Sequence, residues 1–265
     1  MTYIAARFLF VLAICVSWSA LGAQITTWSS CEQDERLGGD PSNPFSDLPK
    51  ACGISFTGRI ERGDADKIRT IVERLKALTR HSGGLSAQVR LSSIGGDVGE
   101  AIRIGRIIRG NALTTMVSDA TCVSACVLVL ASGVDRLVLN GRIGIHSPYA
   151  EALAGGESYE KLRQRRDVRN EAIRNYLQEM DIPEALLAAM NRIPSDQVRW
   201  LDHRELRDLQ LVGEDAAWRE WQAANKARKL GISHSEFVAR KAQVRNICRG
   251  GPTYSGCEER ILRGN

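Results

Sequence analysis

The chain of 265 residues is poor in histidine, with four in all, at positions 81, 146, 203 and 234. None stands beside a cysteine pair at ligand spacing, and no two cysteines follow C-x-x-C, so no metal site is expected. Beyond the first two dozen residues no apolar run approaches the roughly 20 residues that a membrane-spanning helix needs. Blocks of one charge sign are missing too. Lys and Arg number 36 against 31 Asp and Glu, a formal charge of +5, and the two signs are interspersed. That pattern excludes a nucleic-acid-binding stripe and an acid-seeking tail.

What is present begins with the sequence pattern of an export signal: Arg7 as the positive region, an apolar run from Phe8 to Val16, and small residues giving a cleavage site near Gly22 or Ala23. The expectation is a periplasmic or secreted protein, with membrane attachment only through an uncleaved signal. Cysteine usage agrees. Cys15 leaves with the signal, and Cys31, Cys52, Cys122, Cys126, Cys248 and Cys257 remain as disulfide candidates. Proximity in sequence favours Cys31–Cys52 and Cys248–Cys257, leaving Cys122 and Cys126.

Four regions follow: the signal over 1–23, an irregular polar lead-in over 24–51, a folded domain over 52–213 and a helical tail over 214–265. In the domain, Ile54–Ile60 alternates apolar and polar as a strand does. Asp64 starts a helix whose apolar positions Ile68, Ile71, Val72, Leu75 and Leu78 keep a 3.6-residue period. Val89–Leu91 is a strand, Ser92–Asp97 a tight turn, and Val98–Arg109 a helix. Leu113–Val117 is a strand, and a helix runs from about Ser124 to Ser132. Strands over Arg136–Leu139 and Ile143–Ile145 follow, then a long charged helix from Glu157 to Met180. Strand–helix alternation predicts an α/β fold with a mostly parallel sheet. In such sheets, functional groups collect beyond the carboxyl ends of strands. Trp218 and Trp221 are expected to pack the tail on the core.

Three short stretches carry chemistry. Ser93-Ile-Gly95-Gly96 follows a strand, and paired glycines let backbone N–H groups face an anion; the plainer reading is a turn that needs positive φ. Cys122-Val-Ser124-Ala125-Cys126 sets a serine at a helix N-terminus, as an exposed nucleophile or simply as an N-cap. The two cysteines, four apart, form a bracing disulfide or are small buried apolar groups; a cysteine nucleophile is the weaker option, since no base is aimed at either. Gly144-Ile-His146-Ser-Pro148 ends a strand on an imidazole, the usual base for a hydroxyl.

The order of these motifs resembles the proteolytic subunit of the Clp protease and its crotonase-fold relatives, over about Ile54 to Val212. Phe56-x-Gly58-x-Ile60 is similar to that family's opening strand, and Ser93–Gly96 to its S-P-G-G loop. Ser124 with Ala131-Ser-Gly133 resembles its nucleophile helix, Ile145–Pro148 its I-H-Q-P, and Trp200–Leu206 its motif before the final strand. The C-x-S-A-C form with a signal looks like an exported branch. The resemblance implies a repeated ββα core and a serine endopeptidase that acts on unfolded or short polypeptides without cofactor or ATP. Ser124 would be nucleophile and His146 base, with Gly95, Gly96 and Ala125 around the oxyanion. The family's aspartate falls on Val198 here, so Asp196, or else Asp202, is the candidate third member. No lysine matches the position of a Ser–Lys dyad. The resemblance further implies a homo-oligomer built through the segment after His146, with neither an unfolding ATPase nor nucleic acid as partner. The alternatives are a catalytically degenerate binding or assembly module on the same fold, motivated by Val198, and a CoA-type acyl-transfer reaction, disfavoured by export and by the Ser/His pair.

Overall fold

The computed structural model of the protein describes residues 22–29, 52–79, 87–148, 158–248 and 254–264. Residues 1–21 of the expected signal and the Cys31 partner proposed for Cys52 lie outside them. The fold is α/β with two mixed sheets. The larger has six strands in the order β1 (Gln24–Ser29), β2 (Cys52–Thr57), β3 (Ala87–Ser92), β4 (Thr114–Ser118), β6 (Asp135–Leu139) and β9 (Gly213–Glu214). β2, β3, β4 and β6 run parallel, and β1 and β9 close the two edges antiparallel. The smaller sheet orders β5 (Thr121–Val123), β7 (Arg142–Ile145) and β8 (Arg199–Trp200), with β5 and β7 parallel and β8 antiparallel to β7.

The helices α1 (Asp64–Thr79), α2 (Val98–Gly110) and α3 (Ala125–Ala131) lie between strands in the chain. Ile68, Val72 and Leu75 of α1 and Ile104 and Ile108 of α2 are fully buried, as their 3.6-residue spacing requires. All seven residues of α3 are buried. Its Val-Leu-Val-Leu run suits a strand by propensity, but a helix apolar on every side belongs at the centre of a fold, and tertiary burial wins. Then come α4 (Tyr159–Glu179), α5 (Ala185–Asn191), α6 (His203–Asp208), α7 (Ala216–Leu230), α8 (His234–Ile247) and α9 (Tyr254–Arg263).

Three expectations need correction. The lead-in is not irregular throughout: residues 24–29 form β1, because Gly53 leaves room for the Trp28 ring on β2 and Arg90 covers that ring at 3.7 Å. The apolar side expected of α4 divides. Ile173, Tyr176 and Leu177 are buried, whereas Val168 is 61% exposed. Tyr176 pins the buried half, its hydroxyl donating to the Leu128 carbonyl of α3 at 2.8 Å, in space that a Cβ on Gly105 would occupy. The tail tryptophans stack on each other at 4.6 Å, with Trp221 more than half exposed, rather than filling the core. The tail, three helices with α8 and α9 tied by the Cys248–Cys257 disulfide, joins the domain at Asp215.

Asp215 is buried between α2 and α7. Its carboxylate accepts from Trp218 N–H at 2.9 Å and pairs with Arg109 at 3.0 Å, while its own N–H donates to the Val134 carbonyl. Burial pushes this carboxyl up, but the Trp218 N–H and the Arg109 guanidinium outweigh it, and its pKa lies below the ordinary value. A carboxyl depressed in the native state stabilises fully above the ordinary value of about 3.9 and progressively less as pH falls through the native one. Asp215→Asn should therefore lower unfolding free energy by about 2 kcal/mol at pH 7, with the half-buried Arg109 left without its counter-charge. Urea unfolding should show that difference shrinking below about pH 4; a pH-independent difference would contradict the assignment.

Candidate active site

β5 and β7 bring the two motif residues of the central stretch to one rim. Val123 is in register with Gly144, and the Ser124 N–H continues the ladder by donating to the Gly144 carbonyl at 3.0 Å. Ser124 thus follows the last residue of β5, and His146 follows the last residue of β7, at the same carboxyl end of adjacent parallel strands. The smaller sheet takes off from the larger one here. Ser93, just past β3, bridges Cys122 through Ser93 N–H to Thr121 and Val123 N–H to Ser93, at 2.8 and 2.9 Å.

Between strand and helix Ser124 adopts φ 58° and ψ −125°. A non-glycine residue in that region carries strain of order 1–3 kcal/mol. The conformation reverses the chain abruptly, and it is how a strand-to-helix turn lifts a nucleophile's hydroxyl above a sheet. Ser124 holds the N-cap position of α3, yet its side chain makes no capping hydrogen bond. The N-cap reading of this serine is therefore excluded. Ser124 is 9% exposed and lines a cavity of about 1100 Å³.

The residues two before and two after Ser124 are bonded to each other. Cys122 and Cys126 form a disulfide with Cα atoms 5.3 Å apart, and both are fully buried. It welds the last turn of β5 to the first turn of α3 across the strained residue, and in this state neither sulfur is a nucleophile. Closing so short a loop restricts the unfolded chain by about 2 kcal/mol, enough to offset strain of the size expected at Ser124.

The glycine pair shapes the opposite wall. Gly95 has φ 90°, and a Cβ there would come within 2.7 Å of the Ser124 Cβ and 2.9 Å of Ala125 N. Its N–H is engaged, donating to the Ser93 hydroxyl at 3.1 Å, so Gly95 is not an oxyanion donor; its contribution is the close approach. Gly96, with φ 148°, is held on Ile60: Ile60 N–H donates to Gly95 and Asp97 N–H donates to Ile60, at 2.8 and 2.9 Å. Its own N–H donates to no described group, and it lines the same cavity as Ser124. Ala125 is the first residue of α3, where an N–H has no partner inside the helix. Among the described residues, the Gly96 and Ala125 N–H groups donate to no other group, and both residues lie beside Ser124 in the chain or share its cavity.

His146 is buried at 5% exposure, and its Nδ1 lies 2.8 Å from the Ser147 carbonyl. A carbonyl only accepts, so this contact requires a proton on Nδ1. This is the orientation a triad aspartate would otherwise impose. Neither candidate aspartate imposes it. Asp202 caps α6, accepting from Glu205 N–H at 2.8 Å in a reciprocal capping box, and Asp196 is exposed in a turn. The antiparallel register of β7 and β8 pairs Gly144 with Trp200 and Ile145 with Arg199, so one further step sets His146 opposite Val198. A Cβ on Gly144 would come within 2.6 Å of Val198 Cγ1, which fixes that side chain on the face that Gly144 shares with His146 by strand alternation.

Sequence reasoning missed the Ser147 carbonyl and the arginines around the cavity. Arg165 and Arg169, four apart on a helix whose apolar stripe fades at its start, were the available signal.

No protein-family model matches the chain, and no curated protein matches it.

Two variants test the turn. Gly95→Ala should cost about 3 kcal/mol in denaturant unfolding, from positive φ and from the clash with Ser124 and the Val123 carbonyl. The double change Cys122→Ala with Cys126→Ala should cost about 2 kcal/mol. If either protein unfolds at the wild-type midpoint, the constraint ascribed to that contact is absent.

Proposed function

We propose that the protein is a serine endopeptidase of the Clp-like, crotonase-related fold, exported and independent of ATP. The observation that carries this reading is Ser124 itself: a serine at a helix start, in a strained positive-φ turn, which lines a cavity and whose hydroxyl caps nothing. Strain kept at a residue that serves no capping role is a reason to look for function there.

In this mechanism the Ser124 hydroxyl attacks the peptide carbonyl as His146 Nε2 takes its proton. The tetrahedral oxyanion accepts hydrogen bonds from the Gly96 and Ala125 N–H groups. His146 returns the proton to the leaving amine, and water releases the acyl group from Ser124 by the reverse use of the same base. The Ser147 carbonyl holds the imidazole tautomer but carries no full charge, so it stabilises the imidazolium less than a carboxylate does. Turnover below that of a complete triad follows.

The two disulfides support an oxidising compartment, and among the described residues no helix is long and apolar enough to cross a membrane. We assign the substrate as short or already unfolded polypeptide, and assembly into a homo-oligomer as the expected state of this fold. One observation favours the second reading, a non-catalytic module: an apolar Val198 stands where the fold would set the orienting carboxylate.

A fluorophosphonate probe tests the choice. Disulfide-intact protein should be labelled, and Ser124→Ala and His146→Ala should not. Absence of labelling on the folded wild-type protein favours the module. Val198→Asp should raise the labelling rate by about tenfold or more by restoring a charged partner near His146; an unchanged or lower rate would show that the valine does not stand in for the carboxylate.

A further inference from the structure

The cavity that opens on Ser124 has an unusual charge balance. Four arginines line it, Arg59, Arg62, Arg165 and Arg169, against two carboxylates, Glu61 and Asp97. Asp97 is already engaged, its carboxylate accepting from Glu100 N–H at 2.7 Å as the N-cap of α2. Arg59 and Arg62 form no ion pair with any described residue, and both are exposed. Arg169 is the informative one. Its Nη1 is buried and has no hydrogen-bond partner. Guanidinium stays charged at any relevant pH, and a buried donor on it left unpaired is costly.

The wall that carries Arg59 and Arg62 is held in place. Glu100 of α2, buried at 3% exposure, accepts from Gly63 N–H at 3.0 Å and from Ala65 N–H at 2.7 Å, which fixes the segment between β2 and α1. Ile60, within that segment, is bonded to Gly95 and Asp97 on the wall that holds Gly96. The facing wall is the exposed first half of α4, where Arg165, Val168, Arg169 and Ala172 recur at helical spacing on one side. The arginines therefore stand on two segments that flank the serine, and Arg169, with its unpaired donor, is among the residues that line the space between them.

We propose that this cavity selects peptides by a carboxylate, carried on an Asp or Glu side chain or at the chain terminus, with Arg169 as the specificity-determining residue and Arg62 as support. The proposal rests on the peptidase reading for its substrate class, but binding tests it without turnover. A planar guanidinium with an unused Nη1 matches a carboxylate oxygen by a charge-assisted hydrogen bond. Arg59 and Arg62, exposed and without an ion pair among the described residues, steer an anionic segment inward.

The test is titration calorimetry on Ser124→Ala with its disulfides intact. Three unlabelled peptides of one length are compared: a glutamate peptide with an amidated end, its glutamine match also amidated, and the glutamine match with a free terminal carboxylate. At least one carboxylate peptide should bind about tenfold more tightly than the amidated glutamine peptide, and which one does identifies the source of the carboxylate. Arg169→Gln placed in the same background should remove the preference. Arg62→Gln, a change at an exposed side chain, should reduce it and keeps the test valid if the Arg169 variant fails to fold. Equal binding of all three peptides, or a preference that survives both arginine changes, overturns the proposal. Fluorophosphonate labelling of the wild type reads the serine separately. Carboxylate preference without labelling would leave the cavity assignment standing and remove the peptidase reading.

Discussion

Everything at this site depends on one backbone conformation, the positive φ of Ser124. A serine does not take it freely, and strain of order 1–3 kcal/mol has to be met by its surroundings. Four contacts meet it. The Ser124 N–H is locked to Gly144, the Ser124 carbonyl accepts the first bond of α3, Gly95 presses against the side chain without a Cβ, and the Cys122–Cys126 bridge ties the turn's two sides. The disulfide is comparable to the strain in magnitude, and its position decides its use. A bridge elsewhere would stabilise the fold equally without holding this turn.

The same economy of parts sets the rest of the rim. The loop Ser93–Gly96 contributes three things from four residues: a bridge to β5 through Ser93, close approach through Gly95, and an unspent N–H through Gly96. His146 is oriented by the carbonyl of its neighbour, Ser147, a contact that needs no distant residue. The contact holds the ring although the position opposite His146 is a valine. Under the proposed peptidase reading, chemistry slower than a charged partner would support follows, since a carbonyl dipole stabilises imidazolium less than a carboxylate.

Much of this was legible in the residues, and what was not has physical causes. Alternating strands and helices from Ile54 to Ile145 were readable because each element buries one face with its own period. Ser124 and His146 were readable because one starts an apolar run and the other ends one. The Asp215 junction was hidden, since a buried carboxylate shared between α2 and α7 leaves no periodic trace. β1 was hidden because its pairing depends on Gly53 making room for Trp28, a contact between distant positions. The third triad member was sought among aspartates, and the orienting group is a backbone carbonyl, which no side-chain pattern encodes. Asp202 looked available by position but is held by its own helix in a capping box. Gly95 looked like a donor, and its N–H is taken by Ser93 two residues earlier.

The central claim is that Ser124 is a nucleophile with Gly96 and Ala125 as its oxyanion donors. A crystal structure of the fluorophosphonate-treated protein addresses it directly. The account predicts phosphorus on Ser124 Oγ, with the phosphoryl oxygen about 2.7–3.1 Å from both the Gly96 and the Ala125 nitrogens. An adduct on another residue, or an oxygen on Ser124 turned away from both N–H groups, would contradict it.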